Sequence, residues 1–451
     1  METKNTFIEG KIFAPLIKFT LPVLLAMFLQ AMYGAVDLVV VGKFGTAADV
    51  SAVATGSHIM QTVTGVIVGL AMGVTINVGQ KIGERKPEEA GNAIGSGICI
   101  FAVAALIMTV LLVGFAGPVC QVMKAPAEAF KGTAAYVRIC SAGSVFIVAY
   151  NIVGSIFRGL GDSKTPLITV LIACVVNVFG DLLLVAGFGL ASNGAAIATV
   201  FAQAVSVFLS LWMISRKKLP FTFSKKQIRF HKGMTSSIIK LGAPIALQDF
   251  LVSVSFLVIT AIINSMGVVP SAGVGVAEKL CGFIMLVPSS FAQAVSAFVA
   301  QNYGAGRLDR AKRSLFYGIA ISLGFGIIMF SFSFFRGDLM ASLFANDPAI
   351  IQAAWDYMKA YAIDCLFTAE MFCMTGYFNG RGKTTFVMAQ GIFSAFFIRI
   401  PVSFIMSRMV PLSLFKVGLA TPAATLTQIV MCVIYYRILE KSSAGALSGN
   451  K

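Results

Sequence analysis

Asn177 and Asp181 stand four residues apart in NVFGDLLLV, inside an apolar run from about Leu167 to Val185. On a helix that spacing stacks the two side chains on one face. An ionised carboxylate at the centre of a membrane helix costs ~2.5–3.5 kcal/mol on insertion scales, so an acid and an amide placed there read as half of an ion or proton site. Asp37, in AVDLVVVG, and Thr199, in AAIATVF, supply the other half. Two carboxylates in one poorly solvated pocket cannot both ionise cheaply, so one keeps a proton and the pair can carry it. With the oxygens of Asn177 and Thr199 added, the same four groups could hold Na⁺, because hard cations take oxygen ligands. Na⁺ is the one metal this set is expected to bind. The competing reading is a structural hydrogen bond that locks helices together. It is outweighed because intramembrane acids are functional by default.

These residues need helices to hold them, and the composition supplies helices of one kind. Hydrophobic residues make up 57% of the chain and charged residues 12%, with a mean hydropathy of +0.87. The expected fold is therefore an all-α polytopic membrane protein. Twelve spans of helical length fall at about 16–41, 50–79, 92–115, 133–157, 166–187, 193–214, 240–265, 272–300, 314–335, 352–378, 385–409 and 415–437. No cleavable signal pattern precedes the first of them. Asp37 lies about four residues below the outer end of the first span and Asp181 about six below that of the fifth; Thr199 is about six into the sixth. At ~1.5 Å per residue, all three share one layer.

The net charge of +16 does not point to nucleic acid, because the basic residues lie between apolar spans. Of the 35 Lys and Arg, 25 fall on the amino-terminal side, in even-numbered connections and after the last span, and only 6 in odd connections. That bias places both termini in the cytoplasm. The longest connection, 215–239, carries no acid and reads as a basic linker that could lie on anionic lipid. The 8 Cys form no CxxC pair, and with only His58 and His231 a disulfide framework, a zinc site and a histidine-built metal site are all unexpected. No cofactor and no enzymatic activity are expected either, since no Walker A, HExxH or GxSxG motif occurs in catalytic context.

The chain also repeats itself. Gln80, Gly83 and Ala90 recur as Gln301, Gly304 and Ala311, and Tyr136 as Tyr357, all at an interval of 221; Pro22 and Gly45 match Pro244 and Gly267 at 222. Six spans, a linker and six spans in the same order give two six-helix bundles related by a parallel, pseudo-twofold repeat. The expected division is 1–214, a linker at 215–239, 240–440 and a tail at 441–451. Gly65, Gly69 and Gly73 form a small-residue stripe for close helix approach. The second bundle has Ile259 where the first has Asp37, and no acid matching Asp181. Its own acids are Asp249, Glu278, Asp364 and Glu370, of which Glu278 and Asp364 could both face a mid-depth cavity. Arg399, near mid-span, needs a carboxylate or carbonyls as a partner, and Asp364 and Glu370 are candidates, with a structural role favoured.

AVDLVVVGKFG with Asp37, VGQKIGERKPEEA, RGLGDSKTP, NVFGD, NGAAIATVFAQ and the LGAP that opens the second half together resemble the MATE family of multidrug and toxin extrusion antiporters, closest to its bacterial DinF-like and MepA-like branches. The resemblance covers about residues 10–440. It implies a multi-pass protein of the bacterial plasma membrane, monomeric, that exports cationic, aromatic and lipophilic compounds in exchange for H⁺ or Na⁺, with membrane lipids as its surroundings. On the family motif, Asp37, Asn177, Asp181 and Thr199 match the coupling site. Gln30 and Tyr33 match cavity-lining positions, and Asn151, Glu278 and Asp364 are further cavity candidates. Val252 and Thr368 stand where some members carry acids. The alternative implied by relatives on the same two-lobe plan is a flippase for lipid-linked sugars.

Overall fold

A computed structural model describes residues 7–216, 223–411 and 413–448. Residues 1–6, residues 217–222 of the expected linker and 449–451 of the expected tail lie outside the described residues. The described chain contains no β-strand.

The first six spans are α1 (Phe13–Phe44), α2 (Ala47–Gly83), α3 (Pro87–Gly114), α4 (Phe130–Ala142 and Ser144–Leu160), α5 (Lys164–Gly187) and α6 (Ala191–Arg216). The remaining six are α7 (Lys232–Asn264), α8 (Val268–Ile284 and Leu286–Gly304), α9 (Leu308–Ala341), α10 (Pro348–Gly380), α11 (Thr384–Ser407) and α12 (Leu414–Gly418 and Ala420–Ser448). Ten described helices are long and apolar enough to cross a membrane, or eleven if the bent α4 is one span. α10 is the exception on composition. It is 33 residues long but is interrupted by Asp356, Lys359, Asp364 and Glu370.

Local chemistry sets several of the ends. Thr46 and Asp49 close a capping box on α2, with the Thr46 hydroxyl accepting from the Asp49 amide at 3.3 Å and the Asp49 carboxylate from the Thr46 amide at 3.1 Å. Pro87 opens α3, where its missing N–H costs nothing. The fourth span is not the straight helix that its apolar run suggests. It bends by 54° at Gly143, where a Cβ would overlap the Val200 side chain of α6. The bend lets α6 pass close by, and only glycine leaves the room. The last helix continues through Ser448, so the expected tail begins as more helix.

The chain forms two compact units. The first runs to Ala246 and takes in Ala300–Leu308; the second holds Leu247–Val299 and resumes at Asp309. In the first, Val41, Val53, Ala71, Val74, Val78, Val137, Phe101 and Phe157 are almost wholly buried. Of the small-residue stripe, Gly73 is the working member. A Cβ there would overlap the Ile238 carbonyl oxygen and come within 2.8 Å of the Gly242 amide nitrogen, whereas Gly65 faces open space. The described part of the basic connection, from residue 223 on, is held against α3. The Gln227 amide donates to the Glu88 carbonyl at 3.4 Å, the His231 amide to Ser96 Oγ at 3.2 Å, and Gly91 and Gly95 of α3 leave space for Gln227.

In the second unit Ile259, Ile263, Val274, Tyr357 and Met358 make the core. Both units turn large apolar side chains outward, Leu106, Ile107, Val110 and Leu111 of α3 and Ile327, Ile328 and Phe335 of α9 among them. In a soluble protein such bands would be a liability; here they are the surface that lipid covers.

Candidate functional site

Three helices of the first unit bring the four sequence-predicted residues together. α5 packs against both α6 and α1, and small residues set how closely. A Cβ on Gly180 would stand 3.0 Å from that of Ala198, and one on Gly194 would lie 3.1 Å from the Leu184 backbone. Asp181 follows Gly180 and Thr199 follows Ala198, so the close approach puts the acid and the hydroxyl in the same crevice.

Thr199 Oγ1 donates to Asp37 Oδ2 at 3.1 Å, and Asn177 Nδ2 reaches Thr199 Oγ1 at 3.4 Å. The polar chain therefore runs Asn177 to Thr199 to Asp37, from α5 through α6 to α1. Asp37 is 2% exposed and Asn177 and Asp181 are fully buried. The Asp181 carboxyl faces that of Asp37. Four acceptor oxygens are left buried without a donor: Asp37 Oδ1, Asn177 Oδ1 and both carboxyl oxygens of Asp181. Buried acceptors without a donor cost about 1–3 kcal/mol each, and more when charged, so such a cluster persists where something else completes it.

Directly after Asp181 the helix widens. Leu182–Gly187 is a π-helical turn, in which the Phe188 amide bonds the Leu183 carbonyl at 3.0 Å. Single π-turns inside α-helices recur at functional sites. Sequence periodicity gave no sign of it.

The flanking candidates are placed differently. The Tyr33 hydroxyl, one turn before Asp37, donates to the Val170 carbonyl of α5 at 3.0 Å, and the Gln30 amide donates to the Tyr150 hydroxyl at 2.7 Å. Tyr150 is a contact the sequence reading missed; its signal was a lone tyrosine beside Asn151 within an apolar span. Asn151 itself donates to the Ile147 carbonyl of its own helix at 2.8 Å and is not joined to the four.

In the second unit Glu278, half-buried, accepts from the Thr260 hydroxyl at 3.4 Å. Asp364 is 2% exposed with Oδ1 unpartnered. Arg399 forms no ion pair with Asp364 or Glu370 among the described residues. Its guanidinium donates to Ser255 Oγ at 3.3 Å and lies over the Phe256 ring, 4.5 Å from the centroid, while its charge still acts on Asp364. The sequence called for a carboxylate or carbonyls; a hydroxyl and an aromatic face do part of that work.

Comparison with known proteins adds to this geometry. A family model described as MatE matches residues 22–183 and again 244–405, at the interval by which the sequence repeats itself. The chain is 24% identical over 430 residues to a probable multidrug resistance protein, YoeA, of Bacillus subtilis, covering 94% of this chain and 93% of the relative. It is 23% identical over 407 residues to the multidrug export protein MepA of Staphylococcus haemolyticus, covering 89% of each. Among solved structures, the outward-facing conformation of a multidrug resistance MATE family transporter of the MOP superfamily superposes with a TM-score of 0.90 at 18% identity, covering 98% of both chains.

Proposed function

Since the chain belongs to the MATE family, we propose that it is a secondary antiporter, not an enzyme, which exports cationic lipophilic compounds in exchange for H⁺ or Na⁺. The observation that carries this reading is the set of four donorless oxygens around Asp37 and Asp181. A proton shared by the two carboxyls, or a Na⁺ among the four oxygens, supplies what the buried cluster lacks. The two alternatives use the same residues and differ in what they ask of Thr199. A flippase for lipid-linked sugars would need cationic contacts for a pyrophosphate head, and the buried cluster is acidic, which favours a cation as passenger.

The test is efflux of a lipophilic cation from proteoliposomes with a pH gradient and a Na⁺ gradient imposed separately. Efflux that follows neither gradient would sink the reading. Thr199→Val separates the two ions. It removes a Na⁺ ligand outright but takes only one hydrogen bond from a proton site. In the sodium case the apparent Na⁺ affinity should fall about tenfold or more, as loss of a bond worth ~1.4 kcal/mol requires. In the proton case gradient-driven efflux should change about threefold or less.

The charge bias of 25 against 6 supports an orientation with both ends of the chain and residues 215–239 in the cytoplasm. Single cysteines introduced at Ser224 and Lys11 should be labelled by an impermeant thiol reagent only after the cells are opened. Labelling in intact cells would reverse the topology.

A further inference from the structure

At the amino-terminal ends of α1 and α5 the first unit contains a cavity of about 380 Å³, lined by Phe7, Ala14, Pro15, Lys18, Phe19, Gly161, Asp162, Ser163 and Lys164. It lies well away in sequence from the acid cluster, and the coupling reading makes no use of it. We propose that this cavity binds the phosphate-bearing headgroup of an anionic phospholipid, with the acyl chains running along the apolar surface of α1 and α5.

The volume is that of a small-molecule site, and the walls divide by chemistry. Lys18 and Lys164 stand one on each helix, both exposed, and neither forms an ion pair among the described residues. Phe7, Pro15 and Phe19 make the apolar side; Phe7 packs edge-on against Phe19 at 5.1 Å between centroids. The backbone there is tied down. The Phe7 carbonyl accepts from the Asn302 amide at 3.0 Å, and Gly161 sits at φ +83°, beside the Phe7 ring, in a conformation that L side chains rarely adopt. Asp162 also borders the cavity, but its carboxylate is engaged. It accepts from the Lys164 and Thr165 amides at 3.0 and 3.1 Å and from the Thr165 hydroxyl at 2.6 Å. The free amides of α5 are thus already capped, and the two lysines are left to meet the anion.

The lipid, rather than a free phosphate, follows from what lies beyond each lysine. One to two turns further along α1 are Leu21, 51% exposed, and Leu25, 44%; at the same distance along α5 are Ile168, 43%, and Leu171, 49%. Both helices start at the same membrane face in the proposed orientation, so these four lie deeper in the bilayer than the lysines. A cationic cavity at headgroup depth with an apolar track behind it matches an amphiphile of negative charge. Because α1 also carries Asp37, a lipid held here grips the base of the helix that bears the acid.

The test is binding of a tail-labelled phosphatidylglycerol to the purified full-length protein in neutral detergent, read by fluorescence anisotropy. Lys18→Gln with Lys164→Gln should weaken binding about tenfold or more. Ala14→Trp, which fills the cavity from an exposed position without changing charge, should weaken it comparably. Lys124→Gln with Lys131→Gln, the same charge removed elsewhere, should not. Loss in the lysine variant with Ala14→Trp unaffected would mean surface electrostatics and overturn the site. Equal binding in all variants would overturn it as well. Displacement of the label by millimolar glycerol 3-phosphate or inorganic phosphate as effective as displacement by unlabelled phosphatidylglycerol would assign the cavity to a free phosphate and overturn the lipid.

Discussion

Proteoliposomes carrying Asp181→Asn are expected to keep substrate binding and to lose about two orders of magnitude or more of their ion-driven efflux. In the native site the Asp181 carboxyl faces that of Asp37, and both of its oxygens are buried without a donor from another residue. Asparagine keeps the shape and brings its own amide hydrogens. One of those can satisfy Asp37 permanently, as a bound proton does only part of the time. The site is then fixed in its loaded state, and an ion that binds both conformations equally shifts neither. The variant should fold at least as well as wild type, so the loss will not trace to expression. Asp37→Asn should behave alike, whereas Asp364→Asn and Glu278→Gln should still respond to the gradient with altered substrate affinity. Efflux measured for all four in the same vesicle preparation decides it. If Asp364→Asn uncouples while Asp37→Asn still follows the gradient, coupling belongs to the other bundle.

Arg399→Leu is expected to cost about 3 kcal/mol of stability, a figure set by leaving a buried opposite charge uncompensated. Arg399 is 6% exposed and Asp364 2%. The guanidinium is held by Ser255 Oγ and the Phe256 face rather than by a direct ion pair. Its remaining benefit is to Asp364, which also has the Thr425 hydroxyl close by. Removing the cation strands the acid. Removing both charges, with Arg399→Gln and Asp364→Asn together, should recover most of the loss, because two neutral hydrogen-bonding groups carry no Coulombic debt. Thermal inactivation of the two single variants and the double variant, compared as a cycle, gives the coupling directly. Additive losses would show that the two charges do not sense each other.

The acid cluster was legible because it is an anomaly that sequence displays. A carboxylate in an apolar run needs a reason, and counting residues from the span ends placed Asp37, Asp181 and Thr199 at one depth. The number of helices was legible for the same reason of solvent: a bilayer demands length and apolarity of every crossing. What could not be read depends on neighbours far away in sequence. Gly143 bends α4 because Val200 passes beside it. Ser96, Gly91 and Gly95 look like ordinary helix residues until the connection at 227–231 is seen to dock on them. Arg399 was expected to meet a carboxylate or carbonyls, and the serine and the aromatic ring that it does meet lie 144 and 143 residues away in the chain.

The π-turn after Asp181 also limits how the two halves can be compared. The fifth span of the second bundle has such a turn too, at Ala395–Arg399. A residue 221 positions after Asp181 is Val402, which lies beyond its own π-turn, whereas Asp181 lies before the one in its helix. Each such turn retards the winding by roughly one residue, about 100° of rotation. A constant interval therefore pairs positions that share a place along the chain but not an azimuth around the axis. Sliding the comparison by that one residue brings up Pro401 or Ser403, and no acid occurs anywhere from Ile398 to Met406. The halves are thus related by duplication in length, while the azimuth that carries an acid in the first carries no charge in the second.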